Sequence, residues 1–99
     1  MLVEPKSQDW ALNLFYEGDT ILKDIYTKLY KGNKLEIEVS NITPVNWEVK
    51  SYAHKGDTDS LRYYHESNFF GFDAYHKVCE YVNFKMVELE MIIDDCSIP

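Results

Sequence analysis

The chain is poor in the residues from which most recognisable active sites are built. Its four glycines are scattered through 99 residues, so no phosphate-cradling loop or dinucleotide fingerprint can form. Its two cysteines, Cys79 and Cys96, lie far apart and make no Cys-x-x-Cys pair. Three histidines, His54, His65 and His76, show no His-Glu-x-x-His spacing, and no Gly-x-Ser-x-Gly elbow occurs. No apolar run approaches the roughly 20 residues that a membrane-spanning helix needs. The first residues, MLVEPKSQDW, hold an acid and a proline early and lack the apolar region of a signal peptide. These absences predict a protein without cofactor, metal site or catalytic residues. They also predict free thiols and a cytoplasmic location, in a bacterium or an infected host cell.

Bases are short as well. Ten lysines and arginines face 17 acids, a net charge of −7. Nucleic-acid binding depends on cations that neutralise phosphates, so direct contact with nucleic acid is not expected. The same balance disfavours an anionic membrane surface. A protein with a basic face is the partner such a field would attract and orient.

Apolar and aromatic residues, by contrast, are plentiful. An apolar fraction of 45% with 15% aromatics is that of a folded domain, and the length fits one, over 1–99. Residues 1–8 and 94–99 read as flexible ends. Trp10 to Tyr16 reads as a strand. In GDTILKDIYTKLYKGN the apolar residues Ile21, Leu22, Ile25, Tyr26, Leu29 and Tyr30 recur at helical spacing, with Gly32 as the stop. Lys34 to Ser40 alternates strictly, with Leu35, Ile37 and Val39 on one side and Glu36 and Glu38 on the other. Trp47 to His54 and Ser60 to Ser67 flank KGDTD as a hairpin. FDAYHKVCEYVN reads as a helix with Phe72, Tyr75, Val78, Cys79 and Val82 inward. FKMVELEMII reads as a last strand with Glu88 and Glu90 outward.

The predicted order is β-α-β-β-β-α-β. This is an α+β fold with a mostly antiparallel sheet of about five strands and two helices on one face, a variant of the ferredoxin-like split β-α-β arrangement. On the open face the hairpin is expected to bring Tyr52 near Arg62 and Lys50 near Tyr64, among Glu36, Glu38, Glu48, Glu66, Glu88 and Glu90. These acids, with Tyr52, Arg62 and Tyr64, form the candidate protein-binding set, since Tyr and Arg are enriched at interface hot spots. A metal site would have to be built from His65, Asp73 and His76, and is not expected.

In size and charge the chain resembles small acidic antagonists: toxin-immunity proteins, phage-encoded inhibitors of nucleases or CRISPR effectors, and nucleic-acid mimics. That resemblance implies a non-enzymatic protein that inhibits or neutralises a basic nuclease or nucleic-acid-binding complex. The alternative is a small homodimeric housekeeping or ligand-binding domain that uses the open sheet face, with Tyr64, Met86 and Ile92 marking the contact.

Overall fold

Alternation with a period of two governs the chain as far as Phe70. The computed structural model describes residues 10–17, 20–43, 45–56 and 60–96. Five strands follow one another: β1 (Ala11–Glu17), β2 (Thr20–Tyr30), β3 (Asn33–Thr43), β4 (Asn46–His54) and β5 (Leu61–Phe70). One helix, α1 (Ala74–Cys96), completes the described chain. The strands pair antiparallel in sequence order, β1-β2-β3-β4-β5. The α+β class and the five-stranded antiparallel sheet stand. The two helices and the ferredoxin-like order do not, because the strands form a meander and the described residues hold a single helix.

Two segments took the opposite conformation to the one their spacing predicts. The expected first helix is β2. Its β-branched Ile25 and Thr27, with Tyr26 and Tyr30, suit a pleated surface. Gly32 is not a helix stop. Lys31 and Gly32 have φ of 48° and 77°, the left-handed pair that a two-residue hairpin turn requires between β2 and β3. The expected last strand is instead the second half of α1. Its Met86, Leu89 and Ile93 continue the buried stripe begun by Ala74, Val78 and Val82, with no glycine or proline to interrupt it.

The core lies between α1 and one face of the sheet. Tyr26, Leu35, Ile37, Val39, Trp47, Val49 and Ala53 meet the helical stripe there, and Trp10 is buried in the same cluster. Tyr63 and Phe69 pack against it from β5. Phe72, expected inside, is exposed because the chain turns at Gly71 (φ 110°) before the helix begins, and Tyr75, also expected inside, sits at the margin with its ring 5.7 Å from that of Trp47.

Polar contacts fix the helix in place. Lys28 of β2 pairs with Glu90, and Asp94 accepts the Tyr30 hydroxyl at 3.0 Å and pairs with Lys31. These bonds hold the Asp94 carboxyl below the usual aspartate value. Asp94 and Asp95 lie within α1, although they fall in a stretch read as a flexible end. Residues 1–8 and 97–99 of the expected ends are outside the described residues.

Candidate functional site

Alternation along β2 to β5 divides their side chains between the helix and a face that no described element covers. The pairings Thr27↔Glu36↔Tyr52↔Tyr64 and Ile25↔Glu38↔Lys50↔Glu66 run straight across that face. Six members of the predicted set therefore share it: Glu36, Glu38, Glu48, Tyr52, Tyr64 and Glu66. The hairpin register differs from the expected one by two residues, since Tyr52 stands opposite Tyr64 and Lys50 opposite Glu66. The loop between β4 and β5 closes through Lys55 N–H to the Ser60 carbonyl, and the irregularity at Ala53/His54 adds one further residue to β5, which together set this register.

At its centre, the Tyr52 and Tyr64 rings lie 5.0 Å apart between centroids, and His54 stacks on Tyr52 at 5.7 Å. The Tyr64 hydroxyl donates to Glu66 Oε2 at 2.9 Å, and this bond raises the Tyr64 pKa. Partial burial raises that of Tyr52. Burial, then the neighbouring Glu38 carboxylate, pushes the Glu36 carboxyl up. A cation placed beside Glu36 would relieve both effects.

Lysines interleave the acids. Lys23 meets Glu38 at 3.3 Å, Lys34 meets Glu36 at 3.6 Å, and Lys50 meets Glu48 at 3.4 Å. Lys23 and Lys34, like His54, were not foreseen as part of this face. Lys23 was hidden by the helical reading of β2, whose strand alternation places it beside Ile25 and Leu29.

Three predicted members stand apart. Arg62 reaches across the end of β4, where its Nε donates to Asn33 Oδ1 at 3.1 Å. Glu88 and Glu90 are not on the open face at all, because they belong to a helix on the other side of the sheet. Glu88 meets Lys85 at 2.6 Å and Tyr63 at 3.4 Å, while Glu90 holds Lys28. The three residues expected at a dimer contact, Tyr64, Met86 and Ile92, do not share one surface, since Met86 is fully buried on the inner side of α1 and Tyr64 lies on the opposite side of the sheet.

His65, Asp73 and His76 do not converge. His65 meets Ser67 at 3.1 Å, Asp73 meets Lys77, and His76 meets Glu80, and no group of three metal-ligating side chains occurs among the described residues. Cys79 is a free, half-buried thiol. No helix among the described residues is long and apolar enough to cross a membrane. Comparison of the chain with family models, with curated proteins and with solved structures finds no match.

Proposed function

We propose that this protein is a non-enzymatic binding module that docks a basic protein on the open face of its sheet. The observation that carries this reading is the Tyr52–Tyr64 pair, set among Glu36, Glu38, Glu48 and Glu66 on a face that no described element covers. Tyrosines supply contact area at low entropy cost, and the acids around them supply acceptors for lysine or arginine. The internal lysine pairs are no obstacle. Partly exposed ion pairs of this kind contribute only about 0–1 kcal/mol, so a partner's guanidinium can replace them.

Antagonism of a nuclease or nucleic-acid-binding complex is the role that suits such a module, because those proteins present basic surfaces to phosphates. An acidic face engaging that surface would compete with the nucleic acid directly.

The test is affinity capture from the source cells with two matched baits, wild type and the triple variant Glu36→Lys, Glu38→Lys, Tyr52→Ala. A basic protein enriched at least tenfold on the wild type and absent from the variant, with unchanged far-UV circular dichroism, is the expected result. Equal recovery on both baits would remove the open face from consideration.

A further inference from the structure

We propose that the free edge of β5 pairs antiparallel with β5 of a second copy, joining two five-stranded sheets into one of ten strands. β5 ends the sheet order, so alternate N–H and C=O groups along its ten residues face away from β4 with no strand beside them among the described residues. Soluble proteins guard such edges with proline, lysine, bulges or covering elements. The sequence LRYYHESNFF contains no proline, glycine or lysine, and the one irregularity in its pairing falls at its start, beside His54. The other edge differs: β1 has seven residues and a bulge at Phe15/Tyr16. Exposure along β5 reports the missing neighbour. Leu61 and Tyr64 are 53% and 46% exposed, and even His65, on the helix side, is exposed.

Charge selects both the occupant and the register. A two-fold axis through Tyr64 sets Arg62 of each copy opposite Glu66 of the other, so two opposite-charge cross-strand pairs form at once. Tyr63 then lies opposite His65, and Leu61 opposite Ser67. An axis through Glu66 would place two carboxylates face to face. An axis through His65 would set Arg62 opposite Asn68 and pair neither charge with its opposite. Arg62 stands at the irregularity beside His54 and its Nε bond draws the side chain over β4 to Asn33, so forming the new pair requires the guanidinium to leave Asn33 and turn to the free edge.

Antiparallel pairing about an axis perpendicular to the sheet keeps both helices on one side. The two open faces therefore merge, with the Tyr64 residues adjacent at the centre. This inference goes beyond the partner-binding reading and does not require it. Its charges are Arg62 and Glu66, whereas the capture variant changes Glu36, Glu38 and Tyr52.

Sedimentation velocity across about 1–100 µM is the test. Wild type is expected at twice the 11.7 kDa chain mass at the upper end. Arg62→Glu and Glu66→Arg should each raise the dimer dissociation constant at least tenfold. Mixing the two single variants in equal amounts should restore the dimer, because each altered strand then meets its opposite. Hydrogen exchange on the wild type should show β5 amides protected at high concentration and open at low. A wild-type monomer throughout would overturn the proposal, and β5 amides protected at every concentration would then assign the edge to a segment of the same chain. Single variants that dimerise as the wild type does, or folded variants whose mixture stays monomeric, would overturn it equally.

Discussion

Two buried ionisable residues show how the same surroundings can oppose a charge or hold it. Asp24 lies on the helix side of β2, 6% exposed, and burial raises its pKa above the ordinary 3.8. The folded state thus favours the protonated acid. That contribution to stability is full below the unfolded value of 3.8 and is lost as pH rises through the folded value. Asp24→Asn should therefore resist urea better than wild type at pH 7, and the two midpoints should converge as pH falls below 3.8. Lys85, 3% exposed, is the opposite case. Burial works against its charge, but hydrogen bonds from its ammonium to Glu88 and Tyr63, at 2.6 and 2.9 Å, outweigh burial and hold the pKa above the usual 10.5. Its Nζ also sits 5.4 Å from the centres of the Tyr63 and Tyr81 rings. Lys85→Met should lose about 1–3 kcal/mol at pH 7, since Glu88 and Tyr63 forfeit a charged donor. Because the lysine pKa is raised, that difference should persist below pH 10.5 and shrink as pH rises through the folded value. Urea titrations at several pH values check both residues.

At the scale of elements, the helix is the piece on which the sheet's inner face depends. Met86, Leu89 and Ile93 are fully buried, and they belong to the half of α1 whose alternation resembles a strand. Leu89→Ala should cost about 2–5 kcal/mol, with the upper half of that range expected if the flat sheet beneath cannot close over the cavity. Thermal unfolding followed by circular dichroism measures it. β3 and β4 were legible because each carries an unambiguous alternation of apolar and polar residues, and their open-face members Glu36, Glu38, Glu48 and Tyr52 were legible with them. β2 was not. Its inward set is Asp24, Tyr26, Lys28 and Tyr30, and its outward set includes Ile25 and Leu29, so apolar residues do not mark the buried side. Glu88 and Glu90 were misplaced for the complementary reason, since glutamates two apart fit a strand face as well as they fit adjacent sides of a helix.

Across the whole molecule, the charge is divided unevenly between the two layers. The open face interleaves Glu36, Glu38, Glu48 and Glu66 with Lys23, Lys34 and Lys50, whereas residues 73–96 carry six acids (Asp73, Glu80, Glu88, Glu90, Asp94, Asp95) against Lys77 and Lys85. The excess of acid expected on the open face therefore belongs largely to the helix layer, and docking as proposed on the open face would rest on aromatic contact and exchangeable ion pairs more than on bulk charge. The amino-acid sequence by itself determined the class of the fold, the hairpin of β4 and β5 and the strand nature of β3, because local alternation and turn residues suffice where one side is plainly apolar. Only the tertiary structure decided the state of β2 and of the second half of α1, where both periods fit. The deciding contacts, Lys28 with Glu90 and Tyr30 with Asp94, join residues more than sixty positions apart. Lys28 and Tyr30 can face inward because such distant partners satisfy them, and no local window contains those partners.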